Sequence, residues 1–146
     1  MISEIGNYKL SGQNADEFPK TPTLTGSSQT SFGSEILANA INKTLFASGN
    51  DDLRPVMSGV FCEFSSEQVT FVATDAHKLV KHTRTDLSSD KTSSFIIPKK
   101  PLNLLKNNIS EVEDIKIEFN DTNALFSFNN NTIICRLIDG KYPNYD

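Results

Sequence analysis

Twice along this 146-residue chain, apolar residues recur at the spacing of one helix face and then give way to short runs in which apolar and polar residues alternate. From Ser34 to Ser48 the stripe comprises Leu37, Ala40, Ile41, Thr44, Leu45 and Ala47, with Glu35, Asn39, Asn42 and Lys43 on the other side. Ser31 or Ser34 is placed to cap the amino end, and Glu35 suits the dipole of the first turn. Phe46 falls off the stripe and is assigned to packing near the helix end. Gly49-Asn50-Asp51-Asp52 stops the helix. Val60, Cys62 and Phe64 then alternate with Phe61 and Glu63, and the runs Val69 to Thr74 and Lys78 to Arg84 follow, which predicts three antiparallel strands.

After a polar interval from Thr85 to Ser94 the pattern repeats. A strand at Phe95-Ile96-Ile97 passes into a helix in which Leu102, Leu105 and Ile109 share one side, while Lys99, Lys100, Asn103, Lys106 and Asn107 cover the opposite arc. Pro98 and Pro101 fall in or before its first turn, where a missing amide costs little. Strands are expected at Asp114 to Asn120, Asn123 to Phe128 and Thr132 to Leu137, joined by turns rich in Asn and Asp. Each helix has a single apolar stripe, so both should lie on the same side of a sheet that their strands form jointly. A repeat of this kind describes architecture before chemistry.

Residues 1 to 24 look different. Tyr8-Lys9-Leu10 has the pattern of one strand, and Pro19 and Pro22 give the following segment the extended path of a stiff connector. At 37% hydrophobic the chain suffices for one domain that buries roughly two thirds of its unfolded surface. No apolar run approaches the ~18 residues of a membrane span, and the start Met1-Ile2-Ser3-Glu4-Ile5 lacks the order of a signal peptide, which points to the cytoplasm. The net charge of −4 argues against a generally basic nucleic-acid binder, yet Pro98 to Ser110 holds Lys99, Lys100 and Lys106 without an acid. The adjoining stretch to Asp121 is acidic apart from Lys116, which makes a two-faced object of a helix layer over a sheet layer.

Catalytic chemistry finds little to work with. Asp75 and His77 are an acid-base pair only by an Asp-x-His spacing that chance supplies often, His82 is the sole further histidine, and no nucleophile has a spacing that requires it. Asp51, Asp52, Asp75 and His77 lack a fixed set of metal ligands. Cys62 and Cys135 sit in strand-like runs and read as buried, reduced thiols. The residues therefore nominate no catalytic group, cofactor or metal. A β-rich assembly module is the remaining alternative, and it predicts no attraction between the helix face and duplex DNA.

Four ordered segments carry a resemblance: Arg54-Pro55-Val56-Met57-Ser58-Gly59-Val60, Val72-Ala73-Thr74-Asp75-Ala76-His77-Lys78-Leu79, Ile96-Ile97-Pro98-Lys99-Lys100, and Leu137-Ile138-Asp139-Gly140-Lys141-Tyr142-Pro143-Asn144-Tyr145. Together they resemble the bacterial DNA polymerase III β subunit family, the sliding clamps. The likeness covers residues 25–146 as the central of three similar domains, with residues 1–24 as the closing strand of the first domain plus a linker. It implies an α+β clamp fold of two βαβββ halves, with helices on the inner face of a ring-shaped homodimer and antiparallel sheets outside. It further implies a non-catalytic processivity factor that encircles double-stranded DNA. The DNA-facing cations would be Lys99, Lys100, Lys106, Lys43 and Arg54. A groove for the clamp-binding peptides of the polymerase catalytic subunit, the clamp loader and repair polymerases would draw on Met57, Thr74, Ala76, His77, Lys78, Leu79 and Pro143. The family usually has Gly at position 76 and Arg at position 78, so turn geometry and partner preference are where this chain departs.

Overall fold

The computed structural model describes residues 2–3, 5–109 and 113–145. The first half of the repeat is β3 (Ser28–Gly33), α1 (Ser34–Thr44), β4 (Gly59–Phe64), β5 (Val69–Thr74) and β6 (Leu79–Arg84), and the second is β7 (Ser93–Pro98), α2 (Lys99–Asn108), β8 (Asp114–Phe119), β9 (Asn123–Phe128) and β10 (Asn131–Arg136). Ahead of them a minimal hairpin pairs β1 (Ile2–Ser3) with β2 (Gly6–Asn7). The order β-α-β-β-β is written twice.

The apolar stripe of α1 is buried at Leu37, Ala40 and Ile41, and that of α2 at Leu102 and Leu105, each against the strands of its surroundings. Neither Ser31 nor Ser34 caps α1. The N-cap is Gly33, Ser31 lies in β3 with its hydroxyl donating to the Ile115 carbonyl at 3.2 Å, and the amide of Ser34, already helical, donates to Glu113 at 2.9 Å. The neighbouring strand end thus does the work of a capping side chain. Tyr8-Lys9-Leu10 is not a strand. All three side chains are exposed, and a strand pattern without a face to bury has nothing to hold it.

The strands form two four-stranded antiparallel sheets, β10-β9-β8-β3 and β6-β5-β4-β7, rather than one joint sheet. Each sheet takes its edge strand from the other half of the repeat. β3 pairs with β8, setting Phe32 opposite Ile115, and β7 pairs with β4, setting Ile97 opposite Val60. Among the described residues one bridge, just past the end of β10, ties the chain across to β7, where the Ile138 amide donates to the Ile96 carbonyl at 3.0 Å. The space between the sheets is filled by side chains. Phe64 lies 5.8 Å from Phe32, 5.3 Å from Phe95 and 5.7 Å from Phe119, and Phe95 and Phe119 close the cluster at 4.6 Å. Offset and tilted rings at these separations add to the stabilisation that their burial gives.

One core takes the inner faces of both sheets and the stripes of both helices. A second, smaller cluster lies on the opposite face of β6-β5-β4-β7, where residues 138–145 run across the sheet as a strap and bury Tyr142 with Val72 and Ile96. Tyr142 stacks on Phe61 at 4.8 Å and its hydroxyl donates to the Val72 carbonyl at 3.3 Å. Tyr145 bonds the Glu63 carboxylate, and the Lys81 ammonium sits 4.9 Å above its ring. With both faces covered, β5 is buried from end to end. Two glycines of the diagnostic segments are explained by close approach. A side chain at Gly59 would meet the Ile97 carbonyl across the β4–β7 pair, and Gly140, at φ 133°, turns the strap so tightly that a Cβ would lie 2.7 Å from Val56.

Among the described residues no helix is long and apolar enough to cross a membrane. Replacing Phe64, which is buried and touches three other rings, should lower stability the most. Phe64→Ala is expected to cost about 3–5 kcal/mol, read as a fall in the urea midpoint at unchanged slope.

Candidate functional site

The two helices lie side by side with their polar faces outward, and a groove of about 200 Å³ runs between them. Phe46, Asn42 and Leu45 line it from the first helix and its 3-10 extension, and Lys99, Asn103 and Lys106 from the second. Lys99 and Lys106 are therefore brought together, and Lys100 is exposed on the same helix. The Lys99 ammonium reaches Asn50 Oδ1 at 3.2 Å and the Ser48 carbonyl at 3.5 Å, neutral acceptors that steer the charge without cancelling it.

The other two cations stand apart. Lys43, exposed on α1, leans toward β6, where its charge and that of Arg84 add to burial in holding the half-buried His82 below its ordinary pKa. Arg54 is paired with Asp51 at 2.7 Å.

α2 is electrostatically the wrong way round. Its N-cap is Pro98 with no side-chain bond, its first turn has no acid, and Lys99 and Lys100 sit at the positive end of the helix dipole. A helix selected for stability alone would place carboxylates there. Two lysines concentrate positive potential at this end of the groove; the Lys99 amide is taken by the Ser58 carbonyl at 3.3 Å and Pro101 has none, so the charge comes from the side chains rather than the backbone.

The second set of residues belongs to the turn that follows β5 and to two segments near it. The turn from Thr74 to Leu79 is built by its own side chains. The Thr74 hydroxyl donates to the Lys78 carbonyl at 2.7 Å and accepts from the Ala76 amide at 3.1 Å, and Asp75 Oδ1 accepts from the amides of His77 and Lys78, each at 3.0 Å. Asp75 also pairs with the Lys78 ammonium, and these contacts hold its carboxyl far below the usual range, the Lys78 side chain contributing most. Met57 ends a 3-10 turn beside this one: its carbonyl accepts from Gly49 at 2.8 Å, and a side chain at Gly49 would touch both Met57 and Asp75. Pro143 follows Tyr142, which is anchored two residues from Thr74 and whose phenol burial pushes up to about 12.

Met57 and Pro143 are half-buried, Ala76, His77 and Lys78 are exposed, and Leu79 is 45% exposed. The Thr74 hydroxyl is consumed by the turn, which makes Thr74 a builder of this surface rather than a contact on it.

The geometry removes the acid-base reading of Asp75 and His77. The carboxylate meets the backbone of His77 and the ammonium of Lys78, not the imidazole. Among the described residues no group of three or more His, Cys, Asp or Glu is placed to hold a metal. Burial drives the Cys62 thiol far up and that of Cys135 to about 11, so neither is a thiolate at neutral pH.

Sequence reasoning missed two contributors. Phe46 does not pack near the helix end but is 64% exposed at the mouth of the helix groove, a placement its off-stripe position signalled. The strap that carries Pro143 is held by Tyr142 and Tyr145, which alternation gave no means of assigning to the outer sheet face.

Residues 32–144 match the family model described as DNA polymerase III beta subunit, central domain. The beta sliding clamp of Staphylococcus aureus is 34% identical over 147 residues, covering 99% of this chain. Among solved structures, the DNA polymerase III beta chain of Streptococcus pneumoniae superposes on 98% of the chain with a TM-score of 0.85 at 26% identity. The DNA polymerase sliding clamp of Bacillus subtilis superposes on 90% with a TM-score of 0.83 at 28% identity. The chain spans 38% of the length of the Staphylococcus relative, and 38% and 35% of the two solved chains.

Ala76 sits at φ 74°, in the left-handed region that a β-carbon disfavours. Ala76→Gly should therefore raise stability by about 0.5–1 kcal/mol, measurable as an increase in Tm of a few degrees, with the turn's hydrogen bonds retained.

Proposed function

The chain belongs to the family of DNA polymerase III beta subunit central domains, and from that premise we propose that it is the central segment of a sliding clamp, a non-catalytic processivity factor that encircles duplex DNA in the cytoplasm. Residues 25–146 form the central domain in this reading, residues 1–24 the end of the preceding domain and its linker, and the complete protein closes as a ring-shaped homodimer. The observation that carries it is the inverted electrostatics of α2. Lysines at the positive end of a helix without a side-chain cap reduce helix stability, and the neutral acceptors that Lys99 reaches leave its charge uncancelled, whereas a polyanion passing the helix layer repays the arrangement.

Lys99, Lys100 and Lys106 meet phosphates in this reading, with Lys43 and Arg54 as flanking cations. Such contacts neutralise backbone charge without reading bases, so affinity is greatest at low salt and the duplex can slide. Arg54 contributes least while Asp51 holds it.

The open surface around Met57, Thr74, Ala76, His77, Lys78, Leu79 and Pro143 is the docking groove for a short apolar peptide of the polymerase catalytic subunit, the clamp loader or a repair polymerase. What supports it is Leu79 presented outward from a rigidly bonded turn, with the Met57 carbonyl and Asp75 both close to Gly49 and Pro143 next to the anchored Tyr142. Lys78 offers a point charge where a guanidinium would offer a planar fork, and its pairing with Asp75 withdraws it from the partner.

Two experiments on the complete protein separate the two sites. Lys99→Glu with Lys100→Glu should impair loading and retention on circular duplex DNA, reduce the salt slope of binding by about 2, and leave Tm little changed; unaltered retention would overturn the reading. His77→Ala with Leu79→Ala should weaken a polymerase-derived clamp-binding peptide by about tenfold or more in fluorescence polarisation, while DNA retention stays as in wild type. Undiminished peptide affinity would remove the groove.

A further inference from the structure

We infer that the groove between α1 and α2 is a single-stranded DNA site, in which an unpaired base stacks on Phe46 while Lys99 and Lys106 hold the adjoining phosphates. The inference rests on the clamp reading above and extends it from duplex to unpaired strand.

Phe46 is the observation that calls for an explanation. An aromatic ring 64% exposed, off the apolar stripe of its helix, contributes little to the core and leaves apolar surface in water. It stands in a groove whose floor is apolar, at Ile41 and Leu45, and whose far wall is Lys99, Asn103 and Lys106. A ring beside cations on an otherwise uncharged wall is the composition of a stacking platform for single strands, where every base offers a π face and the lysines follow the backbone. In duplex DNA the base faces are covered by their neighbours, so the ring finds a partner only where a strand is unpaired.

An apolar peptide is the rival occupant. It would use Ile41, Leu45 and Phe46 but has no use for a wall of cations, and α2 holds Lys99, Lys100 and Lys106 with no carboxylate between Lys99 and Asn108. Charge complementarity therefore favours the polyanion. Position agrees with this. Residues 45–58 form one continuous connection that begins at the groove with Phe46 and ends at the peptide surface with Met57.

The test uses the complete protein, fluorescein-labelled oligothymidylate as the single-stranded probe and a labelled duplex of equal length, both by anisotropy at low salt. Phe46→Ala should weaken oligothymidylate binding about 5- to 100-fold while changing duplex affinity less than about twofold. Phe46→Tyr should restore wild-type binding, and Lys106→Gln should lower the salt slope for the single strand. Equal oligothymidylate affinity in wild type and Phe46→Ala would overturn the proposal, as would an equal loss for both probes, which would make the ring a backbone contact. Loss of partner-protein binding in Phe46→Ala with oligothymidylate affinity intact would assign the groove to a peptide and overturn it too. Failure of the clamp reading is seen separately, in the duplex retention of the Lys99, Lys100 variant.

Discussion

The exchange of edge strands between the two halves of the repeat is the constraint on which the rest of this structure depends. Because β3 completes the sheet of the second half and β7 completes that of the first, neither βαβββ unit can bury its inner sheet face alone. The phenylalanines at the crossing come from β3, β4, β7 and β8, so the ring cluster at Phe64 ties together both sheets and both halves at one point. The helices then have little choice of position. Each follows an exchanged strand directly, α1 after Gly33 and α2 after Pro98, and both are delivered to the same layer with their polar faces outward.

That layer shows a local conflict that the architecture tolerates. α2 has ten residues, begins on two lysines and a proline, and lacks a side-chain cap, yet Leu102 and Leu105 seat it in the core. Burial of two leucines outweighs an unfavourable dipole contact of typically 0.3–1 kcal/mol. The fold thus frees the amino end of α2 from the usual rules of helix design, and the surplus positive charge becomes available to a ligand. The turn at Asp75 makes the opposite choice, with the amides of Ala76, His77 and Lys78 directed inward to fix its shape.

Much of this was legible from residue spacing. The α1 and α2 stripes, the alternation in β4, β8 and β9, and the Asn-rich turns, including Asn129 at φ 48°, follow from local physics. β3 was not, since Phe32 is its one large apolar residue and its partner β8 lies in the other half. The double burial of β5 was hidden for a related reason: Val72 faces Tyr142, seventy positions away, and no local pattern announces such a cover. The candidate site divides the same way. The lysines of α2 stand out in the sequence by lacking acids, whereas nothing in the spacing of Met57, Leu79 and Pro143 singles them out apart from the family likeness, and the off-stripe position of Phe46 was a sign whose meaning only its exposure in three dimensions supplied.

Strand exchange also sets a schedule for synthesis. β3 pairs with β8 by setting Gly33 opposite Asp114, so it leaves the ribosome long before its partner exists. At about 5–20 residues per second, some 80 residues of translation keep that edge waiting for roughly 4–16 s. Unpaired edges are sites of misassociation, and the composition of β3 suits the delay: Ser28, Gln29, Thr30 and Ser31 keep it polar, with Phe32 alone held back for the core. The strand least able to announce itself in the sequence is, on this view, the one that must remain soluble longest.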